Sequence, residues 1–418
     1  MTRTPFQLPH WFLLGTATAA TQIEGGERNN NWYAWYEAGN IRDGSDPSIA
    51  CDHWNRVAED TALLSTLGCR VHRLGVEWSR IEPEEGRIDE AAISHYREEL
   101  EGIRDAGVIP MVTIYHFSHP LWFAEDGGWL SPKAGARFVR FAEVLVRRLG
   151  DLVDEWITIN EPNVYLLFAH FLGEWPPGGR SLRAFFRGAR HMLRAHRGAY
   201  DTIHRVSADL GRERPSVGVA HHLRVFDPAT GSLLDRAVAR GYRAVTQDRF
   251  VSTMSSSRWS DFLGVNYYSR DLVRFTSDPR EGFGRREVAP GAPVNDLGWE
   301  LYPEGLYRVI RRYAAATRLP VYVTENGTCD AEDSFRAGYI YDHLYQLYRL
   351  LEDGVDVRRY YHWTLTDNFE WAEGNSARFG LVGVDYATQA RTVRDSGWFY
   401  ADVCRRRSLS ADMLPGDR

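Results

Sequence analysis

The sequence predicts an α/β fold, a single (β/α)8 TIM barrel in which eight parallel strands alternate with helices. Eight short runs of β-branched or aromatic residues recur along the chain, and helical stretches separate them. This alternation indicates parallel strands joined by helices, and eight repeats favour a closed barrel over an open sheet. In addition, no Gly-x-Gly-x-x-Gly follows any of the runs, so a dinucleotide-binding sheet is not supported.

The predicted strands are short apolar runs bounded by turn-forming residues. They span residues 11–20, 71–78, 109–116, 155–161, 216–223, 262–268, 321–325 and 358–365. The candidate helices between them span residues 54–67, 90–106, 132–149, 182–206, 303–317 and 334–352. The first two helices end at Gly68 and Gly107, where glycine commonly caps a helix.

Length and charge narrow the class of protein. The 418 residues exceed the usual size of one domain, but barrels of this kind often reach that length. We therefore expect residues 1–418 to form one catalytic barrel domain, with residues 405–418 as a frayed tail. The net charge is −6, from 50 basic and 56 acidic residues, which disfavours nucleic acid or an anionic membrane as the main partner. A small neutral ligand fits better, and the oligomeric state is left open.

The cysteines and the apolar segments bear on the cellular compartment. The four cysteines show neither paired metal spacing nor a dense disulfide framework, as expected in a reducing compartment. Residues 11–20 imitate a signal peptide, but their apolar stretch is only a few residues long. No uninterrupted apolar segment reaches the roughly 18 residues that suggest a membrane span. We therefore expect a cytoplasmic protein.

Two acidic motifs, at residues 158–162 and 323–327, end predicted strands and carry Glu161 and Glu325. Carboxylates at the mouth of a parallel barrel occupy the place where catalytic groups are expected. A lone glutamate there is more often a solvated charge or a helix start, but two matching motifs favour a catalytic pair. Glycosidic cleavage needs such a pair, which retains the sugar configuration at a separation of about 5 Å and inverts it at roughly 6.5–9.5 Å. The sequence leaves that separation open.

Seven ordered motifs resemble glycoside hydrolase family 1, the β-glucosidase and β-galactosidase family. They span residues 12–25, 72–81, 113–116, 158–162, 264–268, 324–327 and 367–371. The resemblance implies a retaining β-glycosidase that hydrolyses terminal non-reducing β-D-glucosyl residues, with galactosyl or fucosyl residues as further substrates. It implies no cofactor and no metal. It also implies that Glu161 is the acid/base and Glu325 the nucleophile.

The same resemblance implies roles for the surrounding residues. The remaining catalytic set is Arg73, Asn160, Asn266 and Tyr268, with Arg73 and Tyr268 on the nucleophile and Asn160 on the sugar 2-hydroxyl. The implied substrate-binding set is Gln22, His116, Trp122, Trp363, Glu370, Trp371 and Phe379. Alternatives stay open: Arg73 as a structural ion pair, Tyr268 or His116 as core residues, Asn160 as a turn residue, and Trp122 as a cap on the barrel end.

Residue 370 indicates whether the substrate sugar carries a phosphate group. Family members that cleave 6-phosphosugars place a serine there, whereas this chain has Glu370, and neither Ala377 nor Phe379 offers a phosphate a donor. An anionic Glu370 would repel phosphate, which favours an unphosphorylated β-D-glycoside. Residues 224–261 form a shorter segment than is usual in the family, so the aglycone preference is open. A transglycosylase, a hydrolase of a specialised glycoside and a non-catalytic sugar-binding relative are the competing hypotheses.

Overall fold

The computed structural model describes residues 3–278 and 281–415, and its centre is a closed barrel of eight parallel strands. The strands, numbered β1 to β8 in chain order, are Leu13–Ala17, Val71–Gly75, Ile109–Tyr115, Glu155–Asn160, Ser216–His222, Phe262–Asn266, Val321–Asn326 and Val357–Trp363. Each strand pairs with its neighbours in sequence, and β8 pairs with β1 to close the ring. The predicted (β/α)8 fold is confirmed.

Helices surround the barrel. The larger ones are His53–Thr66, Glu90–Asp105, Ala134–Leu149, Leu182–Asp209, Leu233–Arg243, Glu304–Thr317, Arg336–Glu352 and Asp395–Arg406, and the short helix Arg249–Met254 precedes β6. Burial of one apolar face explains why these helices form, as the helix Ala134–Leu149 illustrates. Its residues Phe138, Phe141, Leu145 and Leu149 recur at helical spacing and are all buried. The six predicted helices are present, with ends within three residues of the predicted ones.

Short helices and small sheets lie outside the barrel and its larger helices. Short helices follow several strands, at Ala20–Ile23, Asn31–Glu37, Trp78–Ile81, Leu121–Glu125 and Pro162–Leu166. An outer three-stranded sheet is formed by Val225–Pro228, Arg270–Phe275 and Gly284–Glu287, and a two-stranded sheet by Val382–Val384 and Arg391–Val393. Over residues 3–278 and 281–415, no helix is long and apolar enough to span a membrane.

The prediction of a frayed tail at residues 405–418 is wrong as far as Leu414. Arg405 and Arg406 belong to the helix Asp395–Arg406, and Ser408–Leu409 then pairs antiparallel with Phe6–Gln7. Leu409 and Leu414 are buried. The tail is ordered because its apolar side chains pack against the start of the chain. Residues 416–418 lie outside the described part of the chain.

A buried ionic cluster joins the helix His53–Thr66 to the rest of the fold. The imidazole of His53 lies between Asp60, at 2.8 Å, and Glu99, at 3.0 Å, and Arg391 pairs with Asp60 at 2.9 Å. Burial alone would lower the pKa of His53. The charges and hydrogen bonds of Glu99 and Asp60 outweigh burial and raise this pKa to about 10. The ring is therefore cationic at neutral pH and balances the two carboxylates.

We expect His53→Leu to lower the free energy of unfolding by about 3–5 kcal/mol at pH 6, because removing one partner leaves Glu99 buried without its cation. A group whose folded pKa is raised contributes stability that is complete below its unfolded pKa of 6.5 and is lost as the pH rises through 10. Urea unfolding at pH 6 and pH 9.5 should therefore show the difference from wild type shrinking with pH. His10→Leu, at an exposed position, is the control, and a difference that grows with pH would contradict the assignment.

Candidate active site

The predicted catalytic residues meet at the carboxyl ends of the barrel strands. Arg73 lies on β2, Asn160 ends β4, Asn266 ends β6 and Glu325 lies near the end of β7. Glu161 follows β4 with φ of 40°, a left-handed conformation that is costly for a residue with a side chain. Pro162 then begins a short helix, so the chain turns away at once. This turn fixes Glu161 at the mouth of the barrel.

Glu325 is held by a cation and a phenol. Arg73 Nη1 donates to Glu325 Oε1 at 2.5 Å, and Tyr268 Oη donates to Glu325 Oε2 at 2.6 Å. Arg73 is fully buried, and its Nε also donates to Thr113 Oγ1 at 2.9 Å. Both carboxylate oxygens therefore accept from groups whose positions are fixed, which favours the ionised form of Glu325.

Among the described residues, the Glu161 side chain has only a neutral hydrogen-bond partner. Asn266 Nδ2 donates to Glu161 Oε1 at 2.7 Å and to Asn160 Oδ1 at 3.0 Å. Thr324 Oγ1 donates to Asn266 Oδ1 at 2.6 Å, which fixes the orientation of that amide. Arg73 Nη2 donates to Asn160 Oδ1 at 2.8 Å. One hydrogen-bond network therefore connects the two glutamates while giving them different partners.

The two carboxyl groups differ in proton affinity. Burial raises the pKa of Glu161 well above its usual range, and the charge of Glu325 raises it further. Burial also raises the pKa of Glu325, but the charge of Arg73 and the hydrogen bond from Tyr268 oppose that rise. As the pH rises, Glu325 therefore ionises first and Glu161 keeps its proton longer.

Gln22 and His116 place unpartnered polar atoms beside this pair. Asn160 Oδ1 is already an acceptor, so its Nδ2 donates to His116 Nε2, at 3.0 Å. Burial holds the pKa of His116 well below its usual range, so the ring is neutral and its proton lies on Nδ1. That Nδ1 and the Oε1 of Gln22 have no partner among the described residues. These two side chains thus offer one spare donor and one spare acceptor.

Glu370 adds acceptors to the same pocket. Its Oε2 accepts from Gln22 Nε2 at 3.3 Å and from Asn368 Nδ2 at 3.1 Å. Burial raises the pKa of Glu370 to about 8, and the charge of Glu325 contributes to the rise. Near neutral pH this carboxyl group is therefore mostly protonated, in contrast to the anionic Glu370 expected from the sequence. It can both donate and accept a hydrogen bond.

Aromatic rings wall the pocket. The His116 ring lies nearly parallel to Trp363, at a centroid distance of 5.8 Å, and to Trp371, at 5.9 Å. Phe379 packs against Tyr268 at 6.3 Å and against Trp299 at 6.1 Å. Flat apolar faces next to spare polar atoms suit a ligand with an apolar C–H face and a rim of hydroxyl groups.

Within residues 3–278 and 281–415, no hydrogen bond connects Trp122 with this network. Its indole N–H donates to the Glu82 carbonyl at 2.8 Å, and its ring packs edge-on against Trp78. These contacts match the alternative of an aromatic cap on the barrel end. Four residues absent from the predicted set do join the site: Thr113, Thr324, Asn368 and Trp299. The first three lie inside the recognised motifs and could have been found, whereas Trp299 lies in a loop without any pattern.

A barrel with two buried carboxyl groups and an aromatic, hydroxyl-matching pocket at its mouth defines the class of barrel glycosidases. The model of glycosyl hydrolase family 1 matches residues 4–255 and 252–409 of this chain. The chain belongs to that family, as the sequence motifs indicated, and the retaining mechanism is general to the family.

Full-length relatives agree with this assignment. Beta-glucosidase A of Thermotoga maritima is 33% identical, and the alignment covers 96% of this chain and 99% of that protein. The beta-galactosidase of Saccharolobus solfataricus is 31% identical over 98% of this chain and 97% of its own. The structure of a beta-glycosidase from Pyrococcus horikoshii superposes with a TM-score of 0.91, at 33% identity and 99% coverage of both chains.

Proposed function

We propose that this enzyme is a retaining β-glucosidase that removes terminal non-reducing β-D-glucosyl residues and also accepts galactosyl or fucosyl residues. The observation that carries the proposal is the unequal environment of the two glutamates. Glu325 accepts hydrogen bonds from the Arg73 cation and the Tyr268 phenol. Glu161 accepts one from the neutral amide of Asn266. Relatives named beta-glucosidase and beta-galactosidase support the sugar class.

Glu161 serves as the acid in the first step. Its raised pKa keeps the proton on the carboxyl group at neutral pH, and that proton passes to the glycosidic oxygen as the bond to the aglycone breaks. Asn266 holds Glu161 Oε1, which leaves Oε2 for the leaving group. The leaving alcohol then departs as a neutral molecule.

Glu325 serves as the nucleophile. Its carboxylate attacks the anomeric carbon opposite the leaving group and forms a glycosyl ester, which inverts the configuration once. Arg73 and Tyr268 hold both oxygens in place before the attack. Asn160, fixed by Arg73 and Asn266, faces the sugar 2-hydroxyl, a contact that strengthens in the transition state.

Ester formation prepares the second step. When Glu325 becomes an ester its negative charge disappears, and with it one of the causes that raise the pKa of Glu161. Glu161, which has already given its proton to the leaving group, therefore stays ionised more readily and accepts a proton from an incoming water. The water attacks the anomeric carbon, Glu325 leaves as a carboxylate, and the second inversion restores the β configuration.

The sugar pocket selects a neutral, hydroxylated ring. The spare atoms on Gln22 and His116 satisfy sugar hydroxyls, and Glu370 bonds them in either protonation state. Because Glu370 is mostly protonated near pH 7, discrimination against 6-phosphosugars rests less on its charge. It rests more on the absence of a donor at Ala377 and Phe379.

The test is NMR of the first sugar anomer released from an aryl β-D-glucoside. We expect β-glucose to appear first and to mutarotate to the α-anomer later. The Glu325→Gln protein is the control, and it should release neither anomer at a comparable rate. A first-formed α-anomer means inversion and excludes the mechanism, and no turnover of glucoside, galactoside or fucoside excludes the proposed substrate class.

The cellular setting is part of the proposal. We infer that the chain forms one catalytic domain, since the family model matches residues 4–255 and 252–409. We also infer a reducing, cytoplasmic environment, which the cysteine pattern supports. All four cysteines are buried free thiols in the structure. Their burial also makes them poor targets for oxidation.

A further inference from the structure

We propose that Glu77 is a positioning residue that locks the two sugar-binding loops of the site to each other. The inference rests on the proposed function, because it concerns how Gln22 and His116 are presented to the sugar. Glu77 lies two residues after β2, and its side chain is 1% exposed. It is distinct from both catalytic glutamates and from Glu370.

The Glu77 carboxylate bonds to both loops at once. Thr21, the neighbour of Gln22, donates its hydroxyl to Glu77 Oε2. Ser118, two residues after His116, donates its hydroxyl to Oε1 and Oε2, both at 2.6 Å. The loops after β1 and after β3 therefore share a single carboxylate as their common acceptor.

The charge of Glu77 has no cation against it. Ser79 supplies its hydroxyl at 2.8 Å and its backbone N–H at 3.3 Å, so every bond to the carboxylate comes from a neutral donor. No ion pair to Glu77 forms within residues 3–278 and 281–415. Burying a carboxylate without a cation is costly, so a purely structural role would be served better by a neutral side chain.

The loop after β3 needs such an anchor. Phe117, between His116 and Ser118, has φ of 69°, a left-handed conformation that is strained for a phenylalanine. Its carbonyl accepts from Asn31 Nδ2 at 3.2 Å and from Trp32 Nε1 at 3.3 Å. Glu77 holds the other side of the strained residue through Ser118. The orientation of His116 therefore depends on bonds that flank Phe117.

Glu77→Gln tests the inference, because it keeps the shape and removes the charge and one acceptor. We expect kcat/KM on aryl β-glucosides to fall by roughly 10- to 100-fold, the scale of a displacement of reacting groups by up to 1 Å. The loss should be equal for good and poor leaving groups, since the sugar contacts and not protonation are weakened. It should also shrink in a Gln22→Ala background, since the part of the loss that acts through Gln22 is then already present, while the part that acts through His116 remains.

Glu82→Gln is the matched control. Glu82 is as deeply buried, but its carboxylate bonds Trp78, Gly86 and Arg140, away from both sugar-binding loops. This variant should lose stability and keep its kcat/KM. The inference is overturned if Glu77→Gln behaves as Glu82→Gln does, or if its loss simply adds to that of Gln22→Ala. If wild type hydrolyses no glycoside, the proposed function itself has failed.

Ser118→Ala tests one side of the bridge if Glu77→Gln does not fold. It removes a single hydroxyl and leaves Thr21 and Ser79 on the carboxylate. We expect a smaller loss of kcat/KM, which disappears in a His116→Ala background. A Ser118→Ala protein with wild-type kcat/KM, or with a loss that adds to that of His116→Ala, would refute the bridge.

Discussion

In a Glu325→Gly variant, we expect hydrolysis of aryl β-glucosides to fall on the order of 10⁵-fold, the scale reported for loss of a covalent nucleophile. The glycine leaves a space beside Arg73 and Tyr268, which have lost their anionic partner. Azide, a small anion, can occupy that space and attack the anomeric carbon. Because Glu161 remains as the acid, a substrate with a good leaving group should be converted to the α-glucosyl azide, and NMR measures the anomer.

A second carboxylate in the barrel provides the control for this variant. Glu155 is also buried, and it too is held by an arginine and a tyrosine, Arg359 at 2.9 Å and Tyr361 at 3.2 Å. It starts β4, however, and so lies at the opposite end of the barrel from the site. Glu155→Gln should retain hydrolysis and gain nothing from azide. A β-glucosyl azide from Glu325→Gly would overturn the assignment of the nucleophile.

The barrel strands could be predicted because each is a short apolar run that ends at the site. Their ends were less certain, since the prediction for β1 extended from residue 11 to residue 20 and the strand is Leu13–Ala17. Most of the extra residues are apolar as well, but the chain leaves the strand after Ala17 and forms the short helix Ala20–Ile23. Apolar composition identifies burial, and it does not tell a strand end from a buried turn.

Elements that depend on tertiary contacts could not be predicted. The outer strand Gly284–Glu287 is mostly charged, and it exists because it pairs with Arg270–Phe275, with Arg274 bonded to Glu287. The helix Asp395–Arg406 contains Gly397 near its start, which lowers its helix propensity. It is anchored where the Ser396 N–H donates to Asp333 at 2.8 Å. Neither contact leaves a local signal in the sequence.

The identities of the site residues could be predicted from the sequence, but the pKa values of their side chains could not. The motifs delivered Arg73, Asn266 and Tyr268 together with both glutamates, and the structure joins all five in one network. The pKa of Glu370 could not be read from a motif, because it depends on how much water the fold excludes. The hydrogen bonds of Glu77 to two loops likewise become visible only when β1, β2 and β3 lie side by side.

In a Glu161→Ala variant, the loss of activity should depend on the leaving group. With a phenol that needs protonation, kcat/KM should fall by roughly 10²- to 10⁴-fold, the usual contribution of a general acid. With 2,4-dinitrophenolate, which leaves as an anion, the first step should be nearly unchanged. Rates measured across a series of aryl β-glucosides give the dependence, and an equal loss for all of them would rule out Glu161 as the acid.

The pH profile and the azide product separate Glu161 from Glu325. Wild-type kcat/KM needs Glu161 protonated, so it should fall as the pH rises through the raised pKa of that group, and this alkaline fall should vanish in Glu161→Ala. In a separate experiment, azide added to the Glu161→Ala variant should attack the glycosyl ester on Glu325 from the side that Glu161 vacated, which gives the β-azide. Opposite anomers from the two variants require carboxyl groups on opposite faces of the sugar, so the same anomer from both would refute the paired roles.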